Sequence, residues 1–259
     1  MMKWAIVGIL FSLTFLRLAQ ADPPKGAHWA RLPALSDEFN GKTLDSAKWW
    51  PDNPDWQGRQ PGWFAKENIQ IKNGSLNITM RKEDRAGLPA GYHTYTSAAV
   101  KSKTRVLYGY FEARCRPMNS HGSSAFWFYD VTPDWWTEID VFEIGGAAKG
   151  EARSDHTTLH VWHTPTMKTH WAKSEVWTAP APLAEAFRVY GLDWERDQIT
   201  FYVDGKVIRT LPNTDWHQPL FLNFDSETMP DWFGLPLDSE LPSTFSIDWI
   251  RAWQKKEQH

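Results

Sequence analysis

WWTEIDVFEIGG, residues 135–146, sets three carboxylates into a stretch that otherwise reads as a β-strand. Side chains alternate along a strand with a period of two, so Glu138 and Asp140 share one face and Glu143 points to the other. One extra residue taken up as a β-bulge would return Glu143 to the side of its partners. The apolar pair Val141-Phe142 marks the place for it, with Ile139 and one member of the pair turned toward a core.

Short alternating runs flank this stretch on both sides. NIQIKNGSLNITM (68–80) and DQITFYVDGKVIRTL (197–211) read as hairpins turning at Asn73-Gly74 and Asp204-Gly205. YTSAAVKSK (95–103), YGYFEARCRP (108–117), SAFWFYD (124–130), TTLHVWH (157–163), PLFLNFD (219–225) and FSIDWIRAW (245–253) carry strand patterning. No long segment has a 3.6-residue period and there is no βαβ rhythm. The fold class is therefore all-β, with two sheets packed as a jelly-roll sandwich.

The chain has 259 residues. Lys3, the apolar run Trp4–Leu16 and the small-x-small Ala19-Gln20-Ala21 have the layout of a secretory leader over residues 1–21. The run is short for a membrane span and Arg17 interrupts its end. Export, to the medium or a periplasm, leaves one domain over 22–259. Losing Lys3 and Arg17 takes the formal charge from -3 to -5, which with the lack of a basic run argues against a nucleic-acid partner. A monomer is the default. Cys115 is the sole cysteine, so no intrachain disulfide forms, and it reads as a buried small residue. The chain holds 17 Trp, enough to face sugar rings as well as fill a core.

Two carboxyl groups about 5 Å apart across a sugar linkage suit retaining glycoside hydrolysis, one attacking and one exchanging a proton. A third acid between them helps set their protonation states apart. A solvated acidic face would need no bulge. A hard-cation site remains the other reading, without a DxDxDG loop to support it.

At this point the sequence resembles a known family. E-I-D-V-F-E looks like the bulged ExDxxE signature of glycoside hydrolase family 16, and the likeness runs from LSDEFNG (35–41) through YGYFEAR to FSIDWIRAW. The resemblance implies a concave cleft and endo-acting, retaining hydrolysis without a catalytic cofactor. Glu138 would be the nucleophile, Asp140 the assisting carboxylate and Glu143 the acid/base. A structural calcium is implied too, with Asp248 and the carbonyl of Gly74 as ligands.

The members it looks most like cut red-algal galactans at β-1,4 bonds, so the expected partner is a polysaccharide or oligosaccharide of that class. WQGRQPGWFAKENIQI (56–71) is similar to a substrate loop of agarases and porphyranases, and supplies Trp56, Arg59 and Trp63. Where agarases tend to have Gly-Pro-Gly this chain has Gly58-Arg59-Gln60, and arginine's planar fork of donors suits a sulfate ester. Trp127 and Trp136 are expected to face sugar, with Phe126 and Phe128 in the core. His160 and Trp162 alternate with Val161 and share a face, while LFLNFDSETMPDWFGLP (220–236) offers Glu227. A kappa-carrageenase or furcellaran-type hydrolase is the alternative, since SDH…LH occurs there as well. An endo-β-1,3-glucanase is more distant. A binding-only jelly roll would not need the acid trio.

Overall fold

The computed structural model describes residues 23–25 and 27–256; the leader expected at 1–21 lies outside them. Among the described residues the chain forms β1 (Trp29–Arg31), β2 (Trp49–Trp50), β3 (Gly62–Phe64), β4 (Ile69–Lys72), β5 (Ser75–Lys82) and β6 (Tyr95–Ser97). There follow β7 (Ala99–Val106), β8 (Gly109–Arg116), β9 (Ser123–Val131), β10 (Trp136–Ile144), β11 (Ser154–His163) and β12 (Trp171–Thr178). The last five are β13 (Arg188–Trp194), β14 (Gln198–Val203), β15 (Lys206–Pro212), β16 (Leu220–Glu227) and β17 (Ser243–Lys255). No helix among them is long and apolar enough to cross a membrane.

Both predicted hairpins form. Asn73 (φ 56°) with Gly74 (φ 69°), and Asp204 (φ 50°) with Gly205 (φ 73°), take the paired positive φ of a type I′ turn. That turn matches the twist of the strands it joins, so β4 pairs β5 without a break, and β14 pairs β15 with one irregularity between Phe201 and Tyr202. Two sheets result. One has seven strands in the order β12-β11-β10-β9-β16-β7-β2. The other follows β15-β14-β13-β8-β17-β5-β6-β3, with β1 added on β17 and β4 on β5.

The inner faces meet through aromatic rings. Phe126, Phe128, Phe142 and Phe224 come from the seven-stranded sheet, Phe111, Tyr190, Phe201 and Phe245 from the other, and all are fully buried. Phe142 lies 4.4 Å from Tyr190 and Phe111 4.9 Å from Phe128, centroid to centroid. Each such phenylalanine contributes roughly 1.5–3 kcal/mol by leaving water. Cys115 is buried among them, its thiol pushed well above the usual range by desolvation.

Two segments depart from the pattern reading. YTSAAVKSK is two strands in different sheets, β6 and β7, with Ala98 at the crossing; period-two patterning is blind to a change of sheet. The edge strand β12 has largely exposed residues on both faces, so it carries no apolar alternation to find.

Candidate active site

The bulge forms on β10, at the apolar pair. Against β9, Glu138 pairs Tyr129, Asp140 pairs Trp127, Phe142 pairs Phe126 and Glu143 pairs Ala125, leaving Val141 without an opposite residue. Tyr129, Trp127 and Ala125 lie two apart on one face of β9, so their partners Glu138, Asp140 and Glu143 share that face too. Ile139 and Phe142 face the core and are fully buried.

This outer face of the seven-stranded sheet floors a cleft of about 520 Å³. Trp127, Tyr129, Trp136, the acid trio, Trp162, Asp225 and Glu227 line it, with Asp55, Trp56 and Arg59 closing one wall from the loop before β3. Nine of the expected site residues thus converge: Glu138, Asp140, Glu143, Trp56, Arg59, Trp127, Trp136, Trp162 and Glu227. Asp55, Tyr129 and Asp225 were not singled out by the sequence; the outward parity of SAFWFYD and PLFLNFD was the signal available for the last two.

Trp63 does not join them. Its strand β3 pairs with β6 in the other sheet, and its indole packs edge-on against Tyr92 at 5.0 Å. His160 stands beside the acids: its Nε2 is 3.3 Å from Asp140 Oδ2 and 3.8 Å from Glu138 Oε1. It reaches them because β11 pairs His160 directly opposite Glu138.

Burial governs the charge of the trio. Desolvation, then the charge of Asp140, pushes Glu143 up to about 8. Glu138 is raised well above its ordinary range by the same two causes, while His160 pulls it back. The indole N–H of Trp162, short of full hydrogen-bond geometry, also favours ionised Glu138. Asp140 is raised well above its range by desolvation, with Glu227 adding to it. Asp140 is buried and Glu138 and Glu143 are half-buried on the same face, so desolvation and mutual repulsion favour keeping protons among the three rather than three full charges. One ligand atom each from Glu138, Asp140 and His160 lies within 4.8 Å of the others, a grouping that could hold a cation.

Aromatic walls are fixed from behind. Trp127 donates its indole N–H to Asp225 Oδ2 at 2.9 Å and stacks on Tyr129 at 4.5 Å. Glu227 accepts from Trp56 Nε1 on one oxygen and from Arg59 Nε at 3.1 Å on the other. Both its oxygens are therefore engaged in holding the loop. Thr228 completes that anchor, donating to the Arg59 carbonyl at 2.6 Å and accepting from Gly62 N–H at 3.2 Å. A Cβ on Gly62 would come within 2.9 Å of the Thr228 hydroxyl, which is why this approach takes glycine.

At the place expected for calcium, Asp248 accepts from Arg114 Nη1 at 2.6 Å, and that guanidinium lies over Phe187. Gly74 sits in the β4–β5 turn. A calcium takes six to eight oxygens; here the one named carboxylate is already neutralised by arginine, so these donors do not fit the ion.

A two-sheet sandwich with a bulged Glu-Ile-Asp-Val-Phe-Glu strand along its cleft defines a glycoside hydrolase of the family 16 clan, acting within polysaccharide chains. The chain belongs to the family described as the GH16 domain of beta-porphyranases A–D, whose model matches residues 29–255. It is 29% identical to a beta-porphyranase B of Zobellia galactanivorans, over 96% of each chain. A kappa-carrageenase of Pseudoalteromonas carrageenovora is 26% identical over 96% of this chain and 71% of its own. Among solved structures, porphyranase B from Zobellia galactanivorans superposes with a TM-score of 0.82 at 27% identity, covering 91% of this chain and 97% of that one.

Proposed function

We propose that this is an exported, endo-acting hydrolase of β-1,4-galactosidic bonds in a sulfated red-algal galactan of the porphyran type. Residues 22–259 would form its one catalytic domain once the leader at 1–21 is removed. The observation that carries the substrate reading is the placement of Arg59. Its Nε is spent on Glu227, but its terminal nitrogens donate to nothing among the described residues, and the side chain is 48% exposed at the cleft wall. That leaves a forked donor pair, beside the Trp56 ring, for a sulfate ester. The porphyranase relatives support the same assignment.

In the reaction, ionised Glu138 attacks the anomeric carbon while Glu143 gives its proton to the departing glycosidic oxygen. A covalent glycosyl-enzyme forms. Glu143, now a carboxylate, takes a proton from the water that displaces Glu138, with net retention. A Glu143 pKa near 8 keeps that proton in place at neutral pH. Asp140, between the two in sequence and buried, holds a proton or hydrogen bond that lets Glu138 carry the negative charge.

The test is product analysis on porphyran, agarose, kappa-carrageenan, furcellaran and laminarin, with Glu138→Gln in parallel. Oligosaccharides with sulfated ends from porphyran, absent with the variant, are expected. Cleavage of kappa-carrageenan or furcellaran alone would replace the substrate reading and keep the mechanism. Products that persist with Glu138→Gln would overturn the assignment of the nucleophile.

A further inference from the structure

The cleft wall next to Glu138 contains a stack that the acid chemistry leaves unexplained. Trp162 stacks with Trp136 at 4.9 Å and 29°, and with His170 at 3.8 Å and 12°. Trp136 and His170 make no ring contact with each other among the described residues, so they take opposite faces of the Trp162 indole. Trp162 therefore offers the cleft an edge rather than a face.

His170 makes a second contact with the same neighbourhood. It ends the link from β11 to β12, where Thr164 and Met167 close a turn through their backbones. Its Nε2 lies 3.0 Å from Nδ1 of His160. The other nitrogen of His160 is the one beside Asp140 and Glu138. A neutral imidazole has one N–H, and the hydrogen bond made at one nitrogen decides which carries it. With His170 donating Nε2–H to Nδ1, His160 must carry its own proton on Nε2, aimed at the acids. His170 is exposed, so core packing does not account for this placement.

We propose that His170 is a positioning residue of the cleft, acting on the acids through His160. It selects the Nε2–H form of His160, giving Asp140 and Glu138 a donor, while its ring, stacked on Trp162, is held in place against the cleft wall. The role rests on Glu138 being the nucleophile, but the placement of His170 does not depend on which galactan is cut.

His170→Ala and His170→Gln would be compared on the polysaccharide that the wild type cleaves, with the nitrogen-15 shifts of His160 recorded for each. The Gln amide carries an N–H donor about where His170 Nε2 stands. His170→Ala should lower kcat about tenfold or more while KM moves less than about threefold, the scale seen when the partner orienting a metal-bound imidazole is lost. His170→Gln should recover most of the kcat. The shifts should report Nε2–H on His160 in the wild type and His170→Gln, and a mixture of tautomers in His170→Ala. Unchanged kcat in His170→Ala, or equal losses in both variants, would overturn the proposal. If no polysaccharide is cleaved, the catalytic reading fails, and the shifts still decide whether His170 sets the tautomer: a mixture already present in the wild type would sink it.

Discussion

The indole N–H of Trp216 lies 2.9 Å from the carbonyl oxygen of Glu138 and 3.1 Å from that of His160. One fully buried tryptophan from the β15–β16 connection thus ties the backbones of β10 and β11 at Glu138 and at the His160 paired opposite it. Its own carbonyl accepts from Trp194 Nε1 and from Asn213, so the ring is held from the core side.

Trp216→Phe keeps most of the apolar volume and removes that shared donor. Stability should fall by about 1–3 kcal/mol, the cost of unmaking a buried hydrogen bond. Urea unfolding reads the loss, and kcat should fall in the same variant. Full activity despite lowered stability would mean that the tie serves the fold alone.

Activity should be bell-shaped in pH. The general acid must be protonated, so kcat/KM should fall on the alkaline side through about 8, where Glu143 titrates. On the acid side it should fall as Glu138 gains a proton, at a pH above that of an ordinary glutamate. Glu143→Gln should lose at least about a hundredfold in kcat on unactivated substrate. An alkaline limb near 8 that survives in the residual activity of this variant would assign the limb to another group.

Arg59→Ala should raise KM on a sulfated galactan about tenfold or more, the worth of one charge-assisted pair. The effect should shrink on the desulfated polymer. Because the substitution also leaves the buried Glu227 without its cation, Arg59→Lys is the companion: it keeps a positive charge and loses the fork. Equal losses on both polymers would limit Arg59 to anchoring the loop.

Asp155 faces the core from β11 with neither carboxyl oxygen hydrogen-bonded among the described residues, and burial pushes its pKa well above the usual range. The fold therefore favours the protonated form. Its contribution to stability is fully present below the unfolded value of about 4 and is lost as pH rises from there through the folded value. Asp155→Asn mimics the protonated group. Relative to wild type, the variant should gain stability progressively as pH rises above about 4, measured by urea unfolding at each pH. Parallel curves would mean that the carboxyl stays ionised in the folded protein.

The sequence carried the parts of this protein that depend on local periodicity. Both type I′ turns, the core role of Phe126 and Phe128, and the bulge at Val141-Phe142 follow from spacing two or from paired turn residues. Tertiary partners were out of reach. Trp56 and Trp63 belong to one sequence loop, yet only Trp56 meets Glu227, 171 positions later, and lines the cleft. Asp225 is legible as strand but not as the acceptor that fixes Trp127. His170 sits in a polar connection without periodicity, and its meaning comes only from the two rings it touches.

Val141 works as a spacer between two alternating frames. Without it, the strand would read Glu-Ile-Asp-Phe-Glu, which alternates without a break and still turns all three acids outward and both apolar residues inward. Facing the cleft is thus something the acids would keep after a one-residue deletion. What the insertion supplies is aim. It bends the backbone between Asp140 and Glu143, and so determines where along a threaded sugar chain the proton donor stands relative to the attacking oxygen. Strands of this kind can be retuned for a differently shaped linkage by length alone, with no change in the reacting groups.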